Sequence, residues 1–217
     1  MAISVLQTSS SFPGLFGDTT WTRPGNYGTT WGDGDLVLAY PTWYDTGTPP
    51  GLTTFTKIRS IGSVACGGWY AKVAGASEPA NYALTGTSVY TVHSIVIRGA
   101  ITPTADDGHS AGNTGNGTTR TGSAVTAGTA GALLLLGVTG YTSGAGAVSG
   151  MTQIENDVDV NNAWYEQAIA AGATGTRTST GTSSEWGTVM LVLDAAGGGS
   201  VTYSIDIHDY SPWIATF

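Results

Sequence analysis

Charge is what this 217-residue chain has least of: Lys and Arg together number 7, and only 10% of residues are Asp, Glu, Lys or Arg. With 15 Asp plus Glu, the formal net charge is −8. So few cations cannot build the basic face that nucleic acid or an anionic membrane needs for counterion release, so neither is an expected partner. The acidic balance serves solubility. Cysteine is nearly absent as well. Cys66 stands alone, which rules out an internal disulfide and leaves packing or assembly as the source of stability outside a cell. Long apolar runs are also missing, because even 132–136, as long as any, is of strand length and far short of the roughly 20 residues of a membrane-spanning helix. The opening MAISVLQTSSSF has neither the basic nor the apolar region of a secretory signal, so synthesis in the producing cytoplasm without export is expected. Sustained runs of Ala, Leu, Glu and Lys are lacking too, which excludes a helical bundle or coiled coil.

What is present is small and aromatic. Gly (33), Thr (34) and Ser (19) fill 86 of 217 positions, yet 41% of residues are apolar, with 7 Trp, 10 Tyr and 4 Phe gathered into short runs. That combination excludes disorder throughout and reads as globular β structure. Strands are predicted over 3–8, 20–23, 35–44, 53–59, 68–74, 89–98, 132–141, 151–160, 164–171, 187–194 and 201–208. The expected fold is all-β, a jelly-roll-like sandwich of about 8–10 antiparallel strands. One segment, 161–172, also fits a short helix capped by Asn161 or Asn162 and closed by Gly172.

An internal echo organises the chain. The stretch from Gly34, GDLVLAYPTWYDTGTPPGLTTFTKI, aligns with the stretch from Gly131, GALLLLGVTGYTSGAGAVSGMTQI. Farther on, Trp69-Tyr70 aligns with Trp164-Tyr165, Gly75-Ala76 with Gly172-Ala173, and TVHSIVIRGA with GTVMLVLDAA. Four blocks in the same order point to a pseudo-repeat of four strands, 34–100 and 131–196, within a sandwich domain 31–196. An arm with the first strands precedes it (1–30), and a last strand and arm follow it (197–217). The connecting 101–130 is rich in Gly, Thr, Ala, Asn and Ser. It is expected either to contribute a strand of its own, with 123–127 as the candidate, or to be packed by a neighbouring copy.

No catalytic constellation stands out, and no cofactor is expected. His93 lies within an apolar strand and reads as a core histidine. His109 sits beside Asp106 and Asp107 in a Gly-rich loop. His208 alternates with Asp206 and precedes Asp209, a pair without a visible third partner. No G-x-S-x-G elbow is present, and Cys66 reads as a buried structural thiol. In ENDVDVN, period-two alternation puts Glu155, Asp157, Asp159 and Asn161 on one face. Asp157 and Asp159 are therefore weak calcium candidates, although a solvated strand face has the same pattern. The tryptophans and tyrosines fit either core packing or sugar stacking. Trp69 and Trp164 belong to the echo and read as core, whereas Trp43 and Tyr44, beside a Pro-Pro-Gly turn, are the expected exposed stacking pair. Phe12, Leu15, Phe16, Trp213 and Phe217 lie outside the echoed blocks and are the expected docking residues of two assembly arms.

GDLVLAYPTWYDTGTPPG followed by GGWYAKVAGASEPANYALTG resembles a β-sandwich module of tailed-phage virion and tail or fibre proteins. Ala76-Ser77-Glu78-Pro79 is the most specific part of the likeness, which covers about 160 residues from Trp31 to Leu193. Leu52 stands where a Trp often follows the turn. The resemblance implies a structural or surface-binding unit of a virion, without catalytic residues. Its partners would be other virion proteins such as the major capsid or tail proteins, further copies of itself, and, on a receptor-binding reading, a host surface glycan.

Overall fold

The computed structural model describes residues 2–11, 20–43, 49–62, 66–85, 89–105, 108–140, 146–154 and 162–197. Among them every regular element is a strand, and no helix is long and apolar enough to cross a membrane. In chain order these are β1 (Ser4–Ser11), β2 (Thr20–Thr22), β3 (Leu36–Trp43), β4 (Gly51–Leu52), β5 (Thr56–Ile61), β6 (Cys66–Val73), β7 (Asn81–Thr85), β8 (Val89–Arg98), β9 (Ser110–Gly122), β10 (Thr126–Ala127), β11 (Ala132–Gly140), β12 (Thr152–Gln153), β13 (Asn162–Ile169), β14 (Gly172–Ala173) and β15 (Arg177–Leu193). All strand pairs are antiparallel.

Two five-stranded sheets form the sandwich, β1-β8-β3-β6-β5 and β9-β15-β11-β13-β12, each with one half of the chain. Numbered within its own half, each sheet has the order 1-5-2-4-3, so the echo in sequence is an echo in topology. Each half holds one main strand more than the four that align, because β1 and β9 occupy equivalent edges without resembling each other. Gly34 and Gly131 both open their central strands at φ near +83° and +82°, a conformation that only glycine adopts without strain. Their amides donate to equivalent carbonyls, Ala74 O at 3.0 Å and Ile169 O at 2.9 Å.

The inner faces meet in one core, where Leu36, Leu38, Trp69, Ile95 and Ile97 of the first sheet pack on Leu133, Leu135, Val189, Leu191 and Leu193 of the second. Both sheets are buried on their outer faces as well, which is why β3 and β11 read as unbroken apolar runs. A small β2-β7-β4 sheet covers the first with Trp21, Leu52, Tyr82 and Leu84. On the second sheet, β10 and β14 supply the cover together with the distal part of the β9/β15 ribbon. That ribbon folds back at Gly117 (φ +124°) and the irregularity between Thr180 and Ser184. The side chain of Asn113 consequently donates to Thr121 O at 2.9 Å, within one strand.

At the centre of the sandwich the repeat touches itself. Tyr40 and Gly137 are equivalent positions of β3 and β11, and the Tyr40 ring lies directly over Gly137 Cα. On the other side the ring approaches Gly67 of β6, where an added Cβ would meet the hydroxyl at 2.5 Å and Cζ at 2.8 Å. The β3–β6 ladder is interrupted here, between Ala39↔Tyr70 and Thr42↔Gly67. Pro41, which has no N–H to donate, sits in that interruption. Two tyrosines could not share this position, and two glycines would leave it hollow; the halves have diverged into a ring and a slot.

The structure refines or corrects four expectations. The segment 101–130 contributes strand, one of its two expected outcomes: β10 (Thr126–Ala127) falls within the candidate 123–127, and the longer β9 (Ser110–Gly122) lies outside it. The strand expected over 3–8 is present as β1 and runs farther, to Ser11, paired with β8 from Ser4↔Arg98 to Ser11↔Val92, so this part of the N-terminal segment is sheet instead of a docking arm. Asn162–Ile169 is a strand, since pairing with β11 and burial of Trp164 outweigh the local capping signal. Trp43 is 2% exposed, so it offers no open face for stacking on a sugar.

Candidate functional site

Among the described residues, a concave surface lies at the end of the first sheet where the 25–34 loop meets β8. It is a shallow cleft of about 450 Å³ lined by Tyr27, Thr29, Thr30, Asp33, Ala76 and Arg98, among others. The loop is tightly self-bonded. Gly28 N donates to Trp31 O at 2.7 Å, Thr30 N to Asn26 O at 2.9 Å, and the Trp31 indole N–H to Gly25 O. Tyr27 ties it to the neighbouring hairpin through its hydroxyl, which donates to Gly75 O at 2.7 Å. Trp31 is buried beneath the loop on Val37, Ala74 and Val96, and its ring meets Tyr27 edge-on with centroids 4.9 Å apart. The Arg23 guanidinium covers Tyr27 at 4.6 Å from the ring centroid.

Asp35 and Arg98 anchor the floor. Both guanidinium nitrogens Nε and Nη2 donate to the carboxylate at 2.7 Å, a bidentate fork, and the Gly32 amide donates to the same group at 2.9 Å. The Asp35 side chain is 3% exposed and that of Arg98 is 53% exposed. Burial pushes the Asp35 carboxyl up, but the Arg98 hydrogen bonds, the Gly32 amide and the Arg98 charge together outweigh it and hold the group below its ordinary range. The same hydrogen bonds raise the Arg98 guanidinium. The second half solves the same problem differently: position 98 corresponds to Asp194, position 35 to Ala132. There Asp194 alone ties down the equivalent loop, accepting from Gly128 N at 2.9 Å and Thr129 N at 3.0 Å. At this pair of positions, then, the first half offers a guanidinium to solvent and the second a carboxylate.

Beside this cleft the Ala76-Ser77-Glu78-Pro79 motif has a structural explanation. Glu78 is buried and accepts from Lys72 Nζ, from Gly75 N at 2.7 Å and from Tyr82 Oη at 2.9 Å. Burial again raises the carboxyl, and those bonds and the Lys72 charge more than reverse it. The motif thus locks the β6–β7 turn through one carboxylate, while Ala76 faces the cleft.

The remaining sequence candidates separate as follows. His93 is fully buried, with Nδ1 2.8 Å from the Ser10 hydroxyl across the β1–β8 pair, as a core histidine. Cys66 is buried on β6. His109 Nδ1 lies 2.9 Å from Thr126 O and 3.9 Å from Asp194, in a second groove with Ile101 and Pro103. Trp69 and Trp164 are buried as core residues. Phe12, Leu15, Phe16, Tyr44, Asp157, Asp159, His208, Trp213 and Phe217 lie outside the described residues. Among the described residues, no three His, Cys, Asp or Glu side chains gather as a metal site would require. The sequence reading missed Arg98 and Asp35 as a unit. Asp33-Gly34-Asp35 reads as a turn, and the one usable signal was a lone arginine closing an apolar strand.

Chemically the cleft offers the exposed edge of the Arg98 guanidinium, the Asp33 carboxylate and threonine hydroxyls, a set suited to hydrogen-bonding a hydroxyl-rich ligand. Comparison with protein-family models, with curated proteins and with solved structures gives no match.

Proposed function

We propose that this chain is a non-enzymatic structural protein of a bacteriophage virion, a capsid decoration or tail/fibre component, that works through contacts with other virion proteins and with copies of itself. The observation that carries this reading is the edge of the second sheet. The proximal part of β9, 110–117, contains no charge and no proline, and β15 is its only strand partner among the described residues. Proteins that remain single blunt such edges with Lys, Pro or short strands, as β5 does here with Lys57 and Arg59 and β12 with two residues. The resemblance of 34–51 and 68–86 to tailed-phage modules supports the same assignment, as does the use of the tryptophans for internal packing instead of display. Quantitative mass spectrometry of gradient-purified particles tests it. A fixed, multi-copy ratio to the major capsid or tail protein is expected, whereas recovery only in the soluble lysate fraction argues against it.

A second reading, recognition of a host surface glycan, draws on the Tyr27–Asp33 and Arg98 cleft instead of Trp43. Glycan-array binding that Arg98→Ala abolishes would favour it. Absence of binding to any glycan leaves assembly as the sole role.

A further inference from the structure

Over residues 110–117 both faces of β9 are packed, and β15 is its only strand neighbour among the described residues. On the inner face Ile61 of β5 lies over Gly112. On the outer face the Trp186 ring lies over Gly115, and the Asn113 side chain donates to Thr121 O at 2.9 Å. The strand is thus held in place before anything meets its edge, so pairing there would cost little ordering.

One hydrogen bond settles which backbone groups point along that edge. Val192 N donates to His109 O at 2.8 Å, and from there the β9–β15 register runs unbroken from Leu191↔Ser110 to Ser184↔Gly117. Bonded and non-bonded pairs alternate along an antiparallel ladder. Ala111, Asn113 and Gly115 therefore spend their N–H and C=O groups on β15, as His109 does, while Ser110, Gly112, Thr114 and Asn116 turn theirs outward. Of these, Thr114 N is already held, donating to Asn113 Oδ1 at 3.0 Å, so Thr114 presents its carbonyl.

Charge and pattern select the partner. The chain carries a formal net charge of −8, so two copies repel least where neither surface is charged, and 110–117 is such a stretch. An identical strand laid antiparallel about a two-fold axis also sets outward groups against outward groups. With the axis at Asn113, Ser110 faces the partner's Asn116 and Gly112 faces the partner's Thr114, so all four outward residues are used. An axis at Gly112 or Thr114 uses three, and an axis between residues opposes outward groups to groups already bonded to β15. Lys57 and Arg59 on β5 deny the neighbouring edge of the first sheet the same pairing.

We propose that two copies of this chain pair through 110–116 of β9, antiparallel about a two-fold axis at Asn113, joining their second sheets into one continuous sheet. The proposal rests on the reading of β9 as the contact edge and names a second copy as what it contacts.

Sedimentation equilibrium of the full chain, over a hundredfold range of concentration ending in the millimolar region, tests it together with residue-resolved amide exchange by NMR. The mass should rise from 22.1 kDa towards twice that value and no farther. In dilute solution Ser110, Gly112 and Asn116 should exchange fast and Ala111, Asn113 and Gly115 slowly; in the concentrated sample the first three should slow at least tenfold. Thr114 and Asn116 are exposed, and the variant Thr114→Lys/Asn116→Lys should stay monomeric with its β11 amides as protected as in the parent. If that variant does not fold, exchange in the parent decides. A monomer at every concentration, a dimer without slowing at 110, 112 and 116, or a folded lysine variant that still dimerises overturns the proposal. A monomeric chain found in fixed copy number on particles would overturn this pairing and leave the virion reading standing; a dimer absent from particles would do the reverse.

Discussion

Replacing Gly137 by alanine should be among the most damaging single-methyl additions this protein can receive. The new Cβ would fall inside the van der Waals envelope of the Tyr40 ring, against Cδ2, Cε2 and Cζ together, whereas carbon contacts settle at about 3.5–4.0 Å. The ring must retreat by more than an ångström, and it has nowhere to go. Gly67 backs its hydroxyl end, and the Trp69 ring stands 4.9 Å away, centroid to centroid. Trp69 is itself pinned across the sandwich by its indole N–H, which donates to Val189 O at 3.1 Å. Overpacking in a closed core costs about 1–3 kcal/mol and more where relaxation is blocked, so about 3 kcal/mol is expected. At a urea slope of roughly 2 kcal/mol/M, the unfolding midpoint falls by about 1.5 M. Tyr40→Leu alone should also destabilise, by about 2–4 kcal/mol, through the cavity it leaves. In the double variant the added methyl occupies part of that cavity, so the two costs should fall short of their sum by at least 1 kcal/mol. A Gly137→Ala midpoint within 0.3 M of the parent, or strict additivity in the cycle, would refute the contact between equivalent positions of the two halves.

Glu78→Gln removes the charge that Lys72, Gly75 and Tyr82 converge on, and should cost about 2–3 kcal/mol in urea unfolding while leaving the circular dichroism unchanged. Asp35 and Glu78 both have carboxyls held below their ordinary values. Their contribution is therefore complete above about pH 5 and drains away as pH falls through 4 towards 3. Urea midpoints should be flat from pH 6 to 8 and drop below pH 4, and that drop should shrink in an Asp35→Asn/Glu78→Gln chain; a parallel drop in both would contradict the assignment. Removing residues 2–11 should unfold the first sheet instead of merely detaching an arm, because β1 covers β8 and supplies the Ser10 partner of His93; retention of a cooperative native transition would count against this. Cys66 should resist a thiol reagent in the native state and react on unfolding; rapid native labelling would show that β6 is not buried as described.

Much of the fold is legible in the sequence because turn glycines and apolar runs recur at nearly constant spacing. The echo misleads at one place. Aligned residue for residue, Trp69-Tyr70 and Trp164-Tyr165 should point alike, yet Trp69 packs between the sheets and Trp164 on the outer face. A bulge beside Ala132–Leu134, with Ala168 at φ +55°, slips β13 by one residue, and one residue of slip turns every side chain to the other face. Tyr70, not Trp69, is the true counterpart of Trp164, and no local signal marks the bulge. β9 escaped notice for a different reason: SAGNTGNGTTRTG has loop composition and is held as a strand by β15 and by Trp186 lying over Gly115. Trp43 reads as exposed because it neighbours a turn, yet it is 2% exposed, and no local signal in the sequence marks that burial. The Asp35–Arg98 fork joins residues 63 positions apart, which no spacing rule connects.

The proposed role is that of a repeated, non-enzymatic part of a virion. Electron microscopy of purified phage particles labelled with antibody to the chain tests it most directly. Label at many regularly spaced positions on the capsid or along the tail is the predicted result; unlabelled particles, with the chain confined to the soluble lysate, would contradict it.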